Sequence, residues 1–354
     1  MKFKLKIITI FTVIIAVLAL CGCNITQSSP NVLNKLSSGL NVHIIDVGQG
    51  DCTLLECDNL YMLIDAGEVD YGYIVVDYLE KYNIDKLDYM VITHPHSDHY
   101  GGAKTVLQSV KTENIILSEA YSSTRSWEAL IDYIDQNNYN VIMPKTSDSF
   151  TLGRTTVTAY VPKIDNDDLN NCSIVLRADY KGMSALFTGD AEKEEEQAML
   201  TDGFKLKANL LKVGHHGSST STSPEFLKKV KPEFATISCG KENDYGHPHR
   251  ETKAILDRAG ITTLRTDEQG DIIINLNNNV IKVESINGES LTDIINNATE
   301  NTQPVVYIGN KNSKVYHSDS CESVDKMAEK NKVTFNSVEE AKNNNYTPCK
   351  NCNP

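Results

Sequence analysis

The chain has 354 residues and a net charge of −13, with 40% apolar and 23% charged residues. This length suggests about two domains, and the apolar fraction can form a buried core, which excludes an intrinsically disordered protein. The negative charge excludes a protein that binds nucleic acid through its overall charge. An enzyme that meets phosphates through metals and local lysines remains compatible with the composition.

An export signal is predicted at the N-terminus. Lysines stand at positions 2, 4 and 6, an apolar run covers 7–20, and a glycine precedes Cys23. A basic start, a short apolar run and a small residue before the processing point are typical of exported proteins, and the arrangement resembles a bacterial lipoprotein signal. The resemblance implies removal of residues 1–22 and a lipid on Cys23, whereas Cys21 follows a bulky leucine. An uncleaved anchor helix is the alternative, and both place the rest of the chain at the extracellular face of the cytoplasmic membrane.

Residues 23–40 are rich in Asn, Ser and Gln, which predicts a tether. From residue 41 to 284, short β-branched runs alternate with helical patterns. The predicted strands are 42–47, 52–56, 61–65, 88–93, 155–161, 173–179, 184–188, 208–213, 234–238 and 271–275. The predicted helices are 72–83, 126–137, 190–201, 224–230 and 251–259. The early strands follow one another as hairpins, and the later strands alternate with helices. This order predicts an α/β fold with two sheets and helices outside.

A cluster of metal-ligand residues follows the predicted strand 88–93. His94, His96, Asp98 and His99 lie within six positions, on a loop at the end of that strand. Imidazole and carboxylate ligands together suit zinc, manganese or iron. Two later histidine pairs, at 215–216 and 247–249, also follow predicted strands, so the sequence predicts a metal centre built from several loops.

The order of these motifs resembles the metallo-β-lactamase fold superfamily, which implies an αββα sandwich. The matching segments are Leu63-Ile64-Asp65-Ala66-Gly67, the histidine loop, Thr188-Gly189-Asp190 and Lys212-Val213-Gly214-His215-His216-Gly217-Ser218. With Asp46-Val47-Gly48-Gln49-Gly50-Asp51, residues 41–284 resemble the hydrolase domain of ComEC competence proteins. The resemblance implies that Asp65 orients the histidine loop from behind the ligands.

The same resemblance implies a two-metal site bridged by Asp190. One metal is expected on His94 and His96, and the other on Asp98, His99 and His216, with His215 as the competing ligand. The wider superfamily has a further histidine before the bridging aspartate, but this sequence has none between His99 and His215. Asn171 stands at about that place, and because Asn is a poorer ligand the first site is expected to be weaker. That expectation favours manganese or partial occupancy over two tight zinc ions.

Two metals lower the pKa of a bound water and clamp phosphoryl oxygens, so no Ser or Cys nucleophile is required. His247 is the candidate for stabilising the phosphate or protonating the leaving oxygen; the alternative is a turn histidine that caps a helix beginning near residue 250. Asp51 and Gln49 are expected either to line the site or to order their turn. Together with the metal ligands, Asp98, Asp190 and His247 are therefore the predicted catalytic residues.

The resulting hypothesis is a membrane-tethered, metal-dependent phosphodiesterase, with DNA as the substrate and a competence or other surface machinery as candidate partner. Hydrolysis of a different ester, such as choline phosphate on cell-wall polymers, is the second enzyme hypothesis. A non-catalytic surface binding protein is the third, and the intact ligand set argues against it.

Charged residues flank the second histidine cluster. The lysines are expected to be mostly solvated, although they can steer a phosphate backbone; they are Lys205, Lys207, Lys212, Lys228, Lys229 and Lys231. The glutamates at 192 and 194–196 are expected to decorate the first turns of a helix, where negative charge suits the helix dipole.

A second metal site is predicted in the tail. Residues 285–303 form a predicted Asn- and Thr-rich linker, and 304–354 a compact module with a helix near 337–344. Its cysteines number three, an odd count for disulfides, and a histidine completes a four-ligand set suited to structural zinc: His317, Cys321, Cys349 and Cys352. The module resembles the Ada-like metal-binding domain, which usually offers four cysteines and suggests help in holding DNA. A Cys349–Cys352 or Cys321–Cys349 disulfide is the alternative.

Overall fold

The computed structural model describes residues 38–163, 168–285, 306–318, 321–350 and 352. Its strands are β1 (Leu40–Ile44), β2 (Thr53–Cys57), β3 (Leu60–Ile64), β4 (Lys86–Ile92), β5 (Lys111–Leu117), β6 (Asn140–Ile142), β7 (Ser149–Leu152), β8 (Thr155–Tyr160), β9 (Val175–Tyr180), β10 (Met183–Phe187), β11 (Leu210–Lys212), β12 (Phe234–Ile237), β13 (Thr262–Arg265), β14 (Ile272–Asn277), β15 (Val280–Ser285), β16 (Tyr307–Asn310), β17 (Val315–Ser318), β18 (Lys332–Phe335) and β19 (Thr347–Pro348). All ten predicted strands are confirmed, with ends displaced by a few residues.

The α-helices of the described residues are α1 (Gly72–Lys81), α2 (Ser97–Tyr100), α3 (Ala103–Ser109), α4 (Arg125–Gln136), α5 (Lys193–Asp202), α6 (Pro224–Val230), α7 (Arg250–Arg258), α8 (Thr266–Gln269), α9 (Glu322–Asp325) and α10 (Val338–Asn343). Every predicted helix is confirmed. Local sequence explains their ends: the hydroxyl of Ser223 caps α6 by accepting from the Phe226 N–H at 3.3 Å, and Pro224 occupies the first turn. Helix α5 ends at Gly203, whose φ of 72° favours glycine.

Two sheets form the main body. The first has the order β15-β14-β1-β2-β3-β4-β5-β6, and the second has the order β13-β12-β11-β10-β9-β8-β7. An apolar layer between them takes side chains from both, for example Val42, Met62 and Leu176. Helices α1, α3 and α4 pack on the outer face of the first sheet, and α5, α6 and α7 on the outer face of the second. The predicted αββα sandwich is confirmed.

Successive side chains of a central strand point alternately into the two buried layers. Met62 and Ile64 of β3 face the layer between the sheets, whereas Leu63 faces the helices. Because side chains alternate between the two faces of the sheet and both faces are covered, these strands are nearly continuous apolar runs.

Parallel pairing places the functional loops at one edge. Strands β3 and β4 are parallel, as are β10, β11 and β12. The carboxyl ends of parallel strands meet at a common edge, and in α/β sheets ligands bind outside those ends. Asp65, the 94–99 loop, Asp190 and His216 follow the ends of β3, β4, β10 and β11 within a few residues.

The tail is a separate small sheet with the order β18-β16-β17-β19. Tyr316, Phe335, Ala341 and Tyr346 form its apolar cluster, with Ala341 supplied by α10. The predicted α+β character of the tail is confirmed.

Among the described residues, no helix combines the length and the hydropathy needed to cross a membrane. The predicted signal, Cys23 and nearly all of the predicted tether and linker lie outside the described residues.

Two glutamates predicted to decorate α5 are in fact buried. Glu195 is 0% exposed and Glu196 is 2% exposed, because α5 turns this face toward the sheet. Glu196 accepts hydrogen bonds from the backbone N–H groups of Thr222 and Ser223. Neither carboxylate oxygen of Glu195 has a hydrogen-bond partner among the described residues. Burial, and secondarily the neighbouring Glu196, raises the pKa of Glu195 well above its ordinary value of 4.5.

We therefore expect Glu195 to make stability fall as the pH rises. Above about pH 4.5 the carboxyl of Glu195 loses its proton in the unfolded chain but keeps it in the folded chain. Because the folded state binds more protons, the free energy of unfolding falls by up to about 1.4 kcal/mol per pH unit. Glu195→Gln, a neutral isostere, should remove this slope and unfold at higher denaturant than wild type at pH 8, but not near pH 4. Chemical denaturation across pH measures it, with the exposed neighbour Glu194→Gln as control. An unchanged slope in Glu195→Gln would show that this carboxyl is not the source.

Candidate metal centre

Four side chains form a compact ligand cluster at the strand edge. One ligand atom from each of Asp98, His99, Asp190 and His216 lies within 4.8 Å of the others. His99 Nε2 is 3.2 Å from Asp190 Oδ1, and His216 Nε2 is 3.1 Å from Asp98 Oδ2 and 3.6 Å from Asp190 Oδ2. His99 Nε2 and Asp190 Oδ1 are buried without a hydrogen-bond partner. A divalent cation would satisfy such a converging set of imidazole nitrogens and carboxylate oxygens.

The charges of this cluster fit a cation as well. Burial alone would lower the pKa of His99, but Asp190, Asp65 and Asp98 raise it well above its ordinary value. Burial would raise the pKa of Asp190, but the histidines, His99 and His216 first, lower it well below its ordinary value. Because these carboxylates are anionic inside a buried site, positive charge must be held between them, either as protons on the imidazoles or as metal ions.

His94 and His96 lie on the other side of Asp190. Their ring nitrogens, Nε2 of His94 and Nδ1 of His96, are 3.1 Å apart, and His94 Nε2 is 4.0 Å from Asp190 Oδ2. Asp190 thus directs one oxygen to His99 and the other toward His94 and His216. Because Oδ2 of Asp190 faces both His94 and His216, its two oxygens do not divide the ligands as predicted, and the assignment of ligands to two metals stays a prediction.

The carboxylate of Asp65 contacts the histidine loop through Thr93 and His99. Its carboxylate accepts from Thr93 N at 2.9 Å and Thr93 Oγ1 at 2.8 Å, and contacts His99 Nδ1 at 2.8 Å. The last contact leaves Nε2 of His99 facing the cluster. Carboxylate–imidazole pairs of this kind fix the orientation of a metal-binding histidine.

Of the two adjacent histidines, His216 belongs to the compact cluster and His215 does not. Its side chain is buried in the cluster, whereas His215 lies at the rim with Nε2 3.9 Å from Asp190 Oδ2. His215 Nδ1 is instead 2.9 Å from Glu192 Oε1. Both histidines have left-handed backbones, with φ of 48° and 52°, a costly conformation that clusters at functional sites.

The structure contradicts the placement of Asn171 beside the first metal position. Asn171 Oδ1 accepts hydrogen bonds from the backbone N–H groups of Glu192 and Glu195 at the start of α5. These bonds direct the side chain to the helix and away from the metal position. Its neighbour Asn170 lines the pocket instead. A three-residue 3-10 turn, Asn170–Cys172, sets this orientation, which the sequence pattern did not reveal.

Ser173 is a site residue that the sequence reasoning missed. Its Oγ accepts from Asp190 N at 3.1 Å and lies 3.3 Å from His94 Nδ1. It therefore joins the two sides of the centre. Its position directly after the Asn-Asn-Cys turn was the only signal in the sequence.

Gln49 and Asp51, in the loop between β1 and β2, take different positions relative to the site. Gln49 lines the pocket, where its Nε2 is 3.4 Å from His247 Nδ1 and its Oε1 accepts from Gly240 N. Asp51 lies beneath the site, with its carboxylate 2.8 Å from Lys212 Nζ and 3.6 Å from His216 Nδ1. Lys212 is 2% exposed, which corrects the expectation of a solvated lysine. Gln49 lines the site, and Asp51 supports it.

The pocket above the cluster has a volume of about 270 Å³. Its lining is mostly polar and comprises Gln49, Glu68, His96, Ser97, Asp98, Asn170, Asp190, His215, His216, Tyr245 and His247. His247 thus faces the site, and His249, not His247, stands at the N-terminus of α7. Burial, with the neighbouring His216, His215 and His249, lowers the pKa of His247 to about 4.

The four predicted ligands of the tail also come together. One ligand atom from each of His317, Cys321, Cys349 and Cys352 lies within 4.8 Å of the others. His317 Nδ1 is 3.4 Å from Cys321 Sγ, and the three thiols are free rather than paired in a disulfide. Four converging N and S ligands fit a closed structural zinc site.

Two segments of the chain match known protein families. Residues 45–241 match the metallo-beta-lactamase superfamily, and residues 292–354 match the metal binding domain of Ada. The second match begins inside the predicted linker, and the predicted domain boundaries remain predictions.

Two curated relatives cover the main domain. ComE operon protein 3 from Bacillus subtilis is 32% identical over 69% of this chain and 34% of its own length. Competence protein ComA from Neisseria gonorrhoeae is 31% identical over 69% of this chain and 33% of its own length. The chain thus spans about a third of these relatives. Among solved structures, the metallo-beta-lactamase fold protein YhfI from Bacillus subtilis aligns over 70% of this chain and 100% of its own, with 13% identity and a TM-score of 0.46.

Proposed function

This chain belongs to the metallo-beta-lactamase superfamily of metal-dependent hydrolases, and we propose that it hydrolyses phosphodiester bonds in DNA with two divalent metals. The observation that carries the proposal is the cluster of Asp98, His99, Asp190 and His216, with His94 and His96 beside it, beneath a polar pocket. When bound, the metals would activate water and neutralise phosphoryl oxygens. Zinc and manganese both suit this mixture of imidazole and carboxylate ligands.

The chain's own residues would bind and orient the phosphodiester. His215, His247, Asn170 and Gln49 line the pocket and carry N–H groups that can donate to phosphoryl oxygens. Glu192 is 2.9 Å from His215 Nδ1, which favours a proton on that nitrogen and keeps the ring at the rim. Because the lowered pKa of His247 keeps it neutral near pH 7, it would act there as a hydrogen-bond donor through one nitrogen rather than as a cation.

DNA is proposed as the substrate because both curated relatives carry competence-related names and align over this domain. The tail would bind one zinc ion through His317 and the three cysteines. The proposed location is the outer face of the membrane, through a lipid on Cys23. Membrane fractionation of wild type against Cys23→Ala tests that anchor.

A substrate panel tests the proposed reaction. The purified chain, supplied with zinc or manganese, should cleave linear DNA and a chromogenic phosphodiester, and should leave a choline phosphate ester intact. Asp98→Asn should cut the rate on both substrates by at least a hundredfold, because Asp98 is both a ligand and a contact of His216.

Two outcomes would contradict the proposal. Cleavage of the choline phosphate ester alone would assign the site to cell-wall esters. No phosphodiester cleavage with either metal, together with identical behaviour of Asp98→Asn, would reject the enzyme.

A further inference from the structure

We propose that Tyr245 is a substrate-positioning residue that stacks on a nucleobase next to the scissile phosphodiester. This inference rests on the proposed phosphodiesterase function and deepens it, because it assigns the pocket to a nucleoside-containing ester. Tyr245 is 68% exposed, and it lines the pocket above the candidate metal ligands. Its position beside the pocket distinguishes it from the other exposed tyrosines, and a tyrosine ring offers an apolar face on which an aromatic ligand can stack.

The ring of Tyr245 is the outermost of three nearly parallel rings, and those of His247 and His216 follow it. Its ring is 5.7 Å from that of His247 with an angle of 20° between the planes. The His247 ring is in turn 6.1 Å from that of His216, with an angle of 22°. These three nearly parallel rings connect the exposed Tyr245 with the ligand cluster. A planar base stacked on Tyr245 would lie beside the pocket that its phosphate would enter.

The loop that carries Tyr245 is held in place. Asn243 Oδ1 accepts from His247 N at 2.9 Å, and Asn243 Nδ2 donates to the carbonyls of Gly240 and His247. The Tyr245 carbonyl lies 3.2 Å from His249 Nε2. The ring is therefore presented by a fixed turn, which lowers the conformational entropy lost when a base stacks on it.

Stacking is the form of recognition that suits this chemistry. Every base has an aromatic face, so one tyrosine can hold any nucleotide without reading its sequence. A choline head group has no planar face to stack, and its quaternary ammonium contacts an aromatic ring as a cation instead. Base stacking therefore distinguishes a nucleoside ester from an ester that carries no aromatic group.

Two chromogenic esters test the inference, because both share the p-nitrophenyl leaving group and differ only in the nucleoside. These are thymidine 5′-(p-nitrophenyl phosphate) and methyl p-nitrophenyl phosphate. For the thymidine ester, Tyr245→Ala should raise KM by about tenfold or more, with kcat within about twofold, as expected for a lost base stack. Tyr245→Phe, which keeps the ring, should behave as wild type. The methyl ester should show the same KM with all variants.

Tyr73→Ala is the matched control, since this tyrosine is 60% exposed but does not line the pocket. It should change neither ester. If Tyr245→Ala alters both esters equally, or alters neither, the stacking role is wrong while phosphodiester cleavage stands. If wild type cleaves neither ester with zinc or manganese, the proposed function itself fails, and the inference fails with it.

Discussion

Replacing Asp190 by asparagine is expected to lower kcat on a phosphodiester by about a thousandfold and to remove metal from the hydrolase site. Asp190 is 2% exposed, and its carboxylate lies 3.2 Å from His99 Nε2, 3.6 Å from His216 Nε2 and 4.0 Å from His94 Nε2. Asparagine keeps the shape but removes the negative charge that these three histidines share. Metal catalysis supplies several kcal/mol, which corresponds to about three powers of ten in rate.

Metal content, measured by mass spectrometry on the purified protein, separates this site from the tail. Asp190→Asn should retain the zinc proposed for the tail, whereas Cys349→Ser should lose that zinc and keep the metals proposed for the hydrolase site. The two sites share no ligand, so their losses should add in the double variant. If Asp190→Asn kept full metal content and wild-type kcat, Asp190 would not be the residue between two metals.

The sequence was sufficient to predict the architecture because its central strands carry strong signals. Strand β3 is apolar throughout and its last three residues are buried in succession, as expected of a strand that is covered on both faces. Edge strands β6 and β7 were missed because they are short and half exposed. Strand β5 was missed because its first half, Lys111–Asn114, is polar, and only its last three residues are buried in succession.

The histidine loop was predictable because His94, His96, Asp98 and His99 stand close together in the chain and follow a strand end. Asp65 was predicted only through the family resemblance, and the contacts of Ser173 and the Asp51–Lys212 pair were not predicted, since their partners are remote in sequence. Asn170 and Asn171 differ only in the direction that a 3-10 turn gives them, and no periodicity reports that direction. Asp51 and Lys212 are 161 residues apart and meet only when the two sheets pack. Patterning predicts which strands pack together, but a buried ion pair between them depends on the register of that packing.

That ion pair leads to the second large effect: Lys212→Met is expected to destabilise the fold by about 3–5 kcal/mol. Lys212 Nζ lies 2.8 Å from the Asp51 carboxylate, and both side chains are at most 6% exposed. Removing the lysine leaves a buried carboxylate without its counter-ion, which costs far more than the pair itself contributes. The free energy of unfolding from chemical denaturation measures the effect. Lys229→Met, on the exposed side of α6, should change it by less than about 0.5 kcal/mol.

The double variant Lys212→Met with Asp51→Leu separates stability from function at this position. Replacing both charges with apolar groups removes the unpaired carboxylate, so most of the lost stability should return. Activity should not return with it, because the Asp51 carboxylate also lies 3.6 Å from His216 Nδ1, and leucine cannot replace that contact. Loss of such an outer partner typically costs ten- to a hundredfold in metal affinity or rate. A double variant as active as wild type would mean that Asp51 serves only to neutralise Lys212, and that His216 is held by the Ser238 carbonyl alone.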